Sequence, residues 1–172
     1  MPGIQVRPRC QAQDVRFTWR MLTQLRKKGI ETAYLTLHTG LSSYLDDELD
    51  RRHPDLEEEY SIDKQTAMKI RTARSEGRRI IAVGTTVVRA LESAAQEGDM
   101  ISAGHRYTRL MITPDYPLQL TDGILTGLHE PAASHLELLS AFISPALLKK
   151  AYVGAVQLGY LWHEFGDLNL IV

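Results

Sequence analysis

Residues 78–95, RRIIAVGTTVVRALESAA, constrain the fold more than any other stretch of the chain. Two cations lead into an apolar run, Ile80–Val83. The chain then turns at Gly84-Thr85-Thr86 and continues as a helix-like run to Ala95. A strand that turns through glycine into a helix is the repeating unit of α/β folds. It also presents the unpaired N–H groups of the helix's first turn, a setting that suits an anion. The same connection occurs in many proteins with no chemistry at the turn.

Strand-like and helix-like segments alternate along the rest of the sequence. Phe17, Met21, Leu22 and Leu25 fall on one helical stripe, and Gly29 is placed to end that helix. The alternating, β-branched IETAYLTLH predicts a strand ending at His38. Residues 39–60 are acidic and read as a long loop with a short helix. Residues 63–77 predict a second helix, with Asp63 as N-cap and Gly77 as its stop. Beyond Gly98, RYTRLMI and ILTGLH predict strands, with the proline-rich TPDYPLQLTDG between them. Two helices follow, the second with a proline in its first turn, and a short apolar strand closes the chain. These elements predict an α/β fold with a largely parallel sheet and flanking helices. Residues 1–16 read as an irregular segment and 17–172 as a single α/β domain.

Composition narrows the function classes. The 172 residues are 44% hydrophobic and 24% charged, as in ordinary globular chains. The formal net charge of −1 supplies no overall basic field for nucleic acid. Basic stretches do occur at residues 16–28, 71–79 and 105–109. Cys10 is the lone cysteine, so neither an internal disulfide nor a cysteine metal cluster is possible. No H-E-x-x-H spacing or G-x-S-x-G elbow is present, which argues against a metal site and against serine hydrolase chemistry. The start of the sequence lacks a signal-peptide core, and no stretch reaches transmembrane length. The expectation is a soluble, cytoplasmic protein with no membrane partner.

Ligands of α/β sheets sit beyond the C-terminal ends of the strands. Three such ends carry polar groups here: His38-Thr39-Gly40, Gly84-Thr85-Thr86, and Thr126 to Glu130 with His129 among them. If the strands are parallel, these groups share one rim. Each also has an ordinary explanation. A strand-end histidine commonly caps its own loop, and Arg89 and Glu92, one turn apart, would pair on a helix surface.

Four blocks go further. YLTLHTGLSSY, RRIIAVGTTVVRALESAA, TDGILTGLHEPAASHLELLSAF and YLWHEFGDLNLIV resemble, in this order, blocks of the S-adenosylmethionine:tRNA ribosyltransferase-isomerases of queuosine biosynthesis. The resemblance runs from about Phe17 to the C-terminus. It implies the barrel-like α/β domain of that family, with S-adenosylmethionine as co-substrate and no metal. The implied reaction transfers and isomerises the ribosyl group of S-adenosylmethionine onto 7-aminomethyl-7-deazaguanine at the tRNA wobble position, giving epoxyqueuosine. Such a site needs a base beside the sulfonium, an acid for adenine departure and a polar cradle. Gly84, Thr85, Thr86 and Arg89 are the cofactor-binding candidates. His38, Asp122, His129 and Glu92 are the acid–base candidates, with base and acid not distinguished. His38, His129 and Asp122 are expected to face one pocket.

The sequence also departs from the family pattern. It has about half the usual length, and the part lacking a counterpart is N-terminal. The family's Thr-Ala-Gly-Leu-His-Phe-Thr survives only in Phe17-Thr18. The second histidine of a His-x-x-His-x-Glu pattern is Leu56. Leu-Pro-Lys-Ser-Thr becomes Glu130-Pro131-Ala132-Ala133-Ser134, and Gly-Thr-Phe-Arg-Pro becomes Ser42-Ser43-Tyr44-Leu45-Asp46. Lost cations and gained carboxylates imply weak binding of tRNA by this chain alone. Alternatives to the transferase are a shortened family-like protein that binds a small ligand without modifying tRNA, and a non-enzymatic interaction module.

Overall fold

The computed structural model describes residues 4–8 as a backbone path and residues 18–38, 57–96, 101–128, 135–161 and 166–172 with their side chains. The elements in chain order are β1 (Ile4–Pro8), α1 (Trp19–Lys27), β2 (Glu31–His38), β3 (Glu58–Ile62), α2 (Lys64–Ser75) and β4 (Ile80–Val83). They continue with α3 (Thr85–Gln96), β5 (Gly104–Thr108), β6 (Gly123–Gly127), α4 (His135–Leu139), α5 (Pro145–Gln157) and β7 (Leu168–Ile171).

All seven strands form one sheet in the order β5-β3-β2-β1-β4-β6-β7. The central four, β2-β1-β4-β6, run parallel. The outer pairings, β2 with β3, β3 with β5 and β6 with β7, are antiparallel. The sheet is therefore mixed, and the expectation of a largely parallel one is corrected. Its cause is β3, which lies in the stretch taken for an acidic loop. Glu58 and Glu59 hide a strand whose burial alternates through Tyr60 and Ile62. At the other edge Leu168 lies opposite Gly127, so β7 starts where β6 ends and runs back.

The first segment is also corrected in part. Residues 4–8, expected to be irregular, lie at the centre of the sheet, paired in parallel with β2 and β4. Five residues bounded by a proline are too few to display a period, and only the neighbours on both sides reveal the strand.

The helices follow their local signals. Thr18 caps α1 by accepting from the Met21 N–H at 3.2 Å, and Asp63 caps α2 by accepting from Thr66 at 2.7 Å. Ser144 caps α5, with Pro145 in its first turn. Gly29 and Gly77 end their helices with φ of 76° and 65°, a conformation that costs glycine little. Thr66 does more than fill a helix turn. Its hydroxyl donates to the Tyr34 carbonyl at 2.7 Å and accepts from the Tyr34 N–H at 3.4 Å. It thus continues, with a side chain, the pairing of β2 that β3 leaves at Ile62.

The core gathers Leu35, Tyr60, Ile62, Ile70, Ile80, Leu91 and Ile124 between sheet and helices. The helix α3 is buried along Val87–Ala94, polar residues included. The helix α1 buries none of its residues, although Leu22 and Leu25 are half-covered. Gly123 marks a tight approach in the sheet. A Cβ there would lie 2.6 Å from the Ile171 carbonyl oxygen and 2.9 Å from the Ile81 side chain.

Candidate functional site

Parallel pairing puts the C-terminal ends of β2, β4 and β6 on one edge of the molecule. That rim contains His38, Gly84 with Thr85 and Thr86, and Gly127-Leu128. His38 ends β2 and is exposed. One residue, Gly84, connects β4 to α3. It is buried, has φ of 97°, and donates its N–H to the Leu125 carbonyl at 2.9 Å. A side chain at this φ would be strained, so glycine is what allows strand and helix to join without a longer loop. The α3 axis therefore starts at the rim, and its first-turn N–H groups and positive dipole end lie there. Thr85 and Thr86, both half-buried, occupy that first turn.

The rim extends across β6 to β7. Thr126 on β6 is paired with Asn169 on β7, next to the position of Gly84 on β4. Cross-strand partners share a face of the sheet. The Asn169 Nδ2 is buried and has no hydrogen-bond partner. Buried amides are nearly always paired, and an unpaired one costs about 1–3 kcal/mol. Sequence reasoning missed Asn169. Its signal was a single amide inside the apolar run LNLIV. Asp167 is a second rim group it missed, and it accepts the Leu161 N–H.

Three sequence candidates have side chains committed to the frame. Glu92 is wholly buried. Its Oε2 accepts the Gln119 N–H at 2.8 Å; its Oε1 accepts the N–H groups of Leu120 and Thr121 at 3.1 and 2.8 Å and the Thr121 hydroxyl at 2.7 Å. The carboxylate thus closes the loop that leads into β6. Asp122 follows that loop. Its Oδ2 accepts the Ile80 N–H at 2.7 Å, while its own N–H donates to the Ile80 carbonyl at 2.9 Å. Arg74 lies 3.4 Å from its Oδ1.

Ile80 begins β4, so Asp122 sits at the opposite end of the strands from His38 and Gly84. The expected pocket shared by His38, His129 and Asp122 is corrected on this point: parallel strands separate their two ends, and Asp122 precedes β6 where His129 follows it. His129 itself lies outside the described residues.

Arg89 does not pair with Glu92. Its Nη1 donates to Glu58 Oε2 at 2.7 Å and its Nε to the Leu110 carbonyl at 2.9 Å, all within the fold. Glu58 lies one residue past the His38–Glu59 pairing, so this buried ion pair borders the rim from below. One turn on, Ser93 and Thr108 share a hydrogen bond between hydroxyls. A surface pairing of Arg89 with Glu92 was the wrong geometry because α3 is enclosed by the sheet and by residues 110–121.

Tyr116 packs against the same side of α3, where Gln96 donates to its hydroxyl at 3.0 Å. Burial pushes its pKa up, and the Glu92 charge pushes it the same way. Among the described residues no three metal-ligating side chains gather, and no helix is long and apolar enough to cross a membrane. The segments that depart from the family blocks, 12–16, 42–46, 53–56 and 130–134, lie outside the described residues.

Comparison with known proteins matches this architecture to one family. A model of the queuosine biosynthesis protein family matches residues 12–171. An S-adenosylmethionine:tRNA ribosyltransferase-isomerase of Thermus thermophilus is 41% identical over 157 residues, which are 91% of this chain and 46% of that protein. The protein of the same name from Carboxydothermus hydrogenoformans is 40% identical over 173 residues, 99% of this chain and 50% of its own length. The crystal structure of an S-adenosylmethionine tRNA ribosyltransferase from Thermotoga maritima superimposes with a TM-score of 0.74 at 34% identity, covering 91% of this chain and 50% of that one. The chain spans about half the length of the curated relatives it matches.

Proposed function

We infer that this chain, which belongs to the queuosine biosynthesis protein family, binds S-adenosylmethionine at the rim and carries the small-molecule half of a ribosyl transfer to tRNA. The observation behind this reading is the one-glycine turn at Gly84. It brings the first-turn amides of α3 and the hydroxyls of Thr85 and Thr86 to the strand ends, beside the unpaired Asn169 amide.

In this reading the amides and hydroxyls donate hydrogen bonds to the carboxylate or ribose oxygens of S-adenosylmethionine, as helix N-termini bind anions. His38 and His129 serve as acid–base groups: one removes the proton beside the sulfonium, the other assists adenine departure. Transfer and isomerisation of the ribosyl group then give epoxyqueuosine at the tRNA wobble base. Arg89 acts at one remove, with Glu58 fixing the angle of α3. Glu92 and Asp122 hold the far ends of α3 and β6 and stay out of the chemistry.

Calorimetry with S-adenosylmethionine tests the reading. Micromolar or tighter binding is expected, and Thr85→Val with Thr86→Val should weaken it by roughly 10- to 150-fold, the effect of losing one hydrogen bond to a charged group. No binding, or full affinity in the double variant, removes the rim from the site.

A second reading is favoured by the half-length match to the relatives: the chain binds the small molecule and does not modify tRNA by itself. With a net charge of −1, tRNA binding by the chain alone should be weak and shallow in salt dependence. Turnover of substrate tRNA by the chain alone would decide for the full transferase.

A further inference from the structure

The cations of this chain are placed in two ways. Arg74, Arg78, Arg89 and Arg109 each meet a carboxylate. Arg20, Arg26, Lys27 and Lys28 do not: among the described residues none of the four lies in an ion pair. All four are exposed, and residues 18–30 contain no acidic residue. A net charge of −1 thus conceals one helix, α1 with its C-cap Lys28, that carries four cations and no anion.

Helix stability accounts for part of this pattern. Arg26 and Lys27 lie in the last turn, where the helix dipole favours a cation. Arg20 lies in the first turn, where the dipole opposes one, and no carboxylate is there to offset it. Beside it Trp19 is 83% accessible. The fold does not use that indole: Leu22 and Leu25 are the half-covered residues of α1, and none is buried. Direction also matters. The helix α1 ends where β2 begins, and the Ile30 N–H donates to the Leu25 carbonyl at 3.0 Å across that turn. As the crossover between the parallel strands β1 and β2, it runs back against them. Trp19 is therefore the end of α1 nearest the rim, where His38 closes β2, and Arg26, Lys27 and Lys28 are the far end.

We propose that α1 is an RNA-docking element: Trp19 stacks an unpaired base of a tRNA loop beside the rim, and Arg20, Arg26, Lys27 and Lys28 follow the phosphates away from it. Unpaired bases stack on aromatic side chains, and a line of unpaired cations complements the backbone that joins them. The proposal rests on tRNA being the second substrate. It also names the surface that meets that substrate. A helix lying in a lipid surface needs a free apolar face, and on α1 Leu22 and Leu25 are already half-covered by the fold. Four phosphate contacts to a single strand give a salt slope of about −3, in keeping with weak binding and a shallow salt dependence for the chain alone.

The test titrates the whole chain at low salt with a labelled RNA hairpin copying a tRNA anticodon arm, and with the same sequence closed into a full duplex. Tighter binding of the hairpin is expected. Trp19→Ala should weaken it by roughly 5- to 150-fold, the range for one base stacked on an aromatic ring, and erase the preference over the duplex. Trp19→Phe should restore most of both. Arg26→Gln with Lys27→Gln should weaken both probes and reduce the salt slope by about 1.5. Because α1 buries none of its residues, thermal unfolding should be unchanged in every variant, as should S-adenosylmethionine affinity. The proposal is overturned if the chain does not prefer the hairpin, if the variants bind it at full strength, or if anionic phospholipid vesicles bind through Trp19 and the hairpin does not. Absence of S-adenosylmethionine binding with these RNA results intact would count against the rim and leave α1 standing.

Discussion

The two ends of the parallel strands use polar residues in opposite ways. At the N-terminal end, Glu92 and Asp122 are spent on backbone amides: Glu92 takes three in the loop before β6, and Asp122 takes the first of β4. At the C-terminal end, Gly84, Thr85 and Thr86 begin a helix at the surface, and the Asn169 amide is buried without a partner. A carboxylate whose lone pairs are filled by the protein's own N–H groups is structure, because using it for chemistry would strand those donors. A helix start and an unpaired amide have bonding capacity left for a ligand. Position in the fold, more than residue type, separates the two.

The largest test of that contrast is Arg89, which lies between the two ends. Arg89→Ala removes the guanidinium that meets buried Glu58, and should destabilise the protein by about 3–5 kcal/mol in urea unfolding. Replacing both with methionine should recover most of the loss, since a buried ion pair exchanged for apolar volume is often neutral. An Arg89→Ala protein of full stability but poor S-adenosylmethionine affinity would move Arg89 from the frame to the site.

A smaller effect is expected from Glu92→Gln. One oxygen can still accept, while the amide NH2 faces a backbone donor, costing roughly 1–3 kcal/mol. Ligand affinity of the folded fraction should not change. Retained stability with lost turnover in a complete enzyme would make Glu92 an acid–base group and break the contrast.

Tyr116 gives the smallest and most specific signal. Its pKa is raised by burial first and by the Glu92 charge second. The unfolded tyrosine ionises near pH ~10. Above that pH the unfolded state has shed a proton that the folded state keeps, so stability falls as pH rises. The loss should begin near pH ~10 and extend through the raised folded value. Tyr116→Phe should flatten this part of the pH–stability curve, and Glu92→Gln should move its upper limit down. An upper limit unmoved by Glu92→Gln would show that the Glu92 charge does not act on Tyr116.

Much of the local structure could be read from the sequence because its causes are local. The cap at Asp63, the glycine stops at residues 29 and 77 and the strand–glycine–helix turn at 80–86 each depend on a few adjacent residues. The blocks that mark the family are contiguous as well. What the sequence did not disclose depends on partners distant in the chain. The strand β1 is five residues long and exists because β2 and β4 flank it. The strand β3 has two glutamates where a hydrophobic pattern is sought, and one of them is buried against Arg89, thirty-one positions later. Asp122 had the right chemistry for a catalytic group, and only strand direction put it at the wrong end. Short-range sequence determined the elements and the glycine that joins strand to helix. Tertiary pairing decided which polar groups the fold would consume and which it would leave at the rim, because a buried charge or amide takes its role from the partners brought to it.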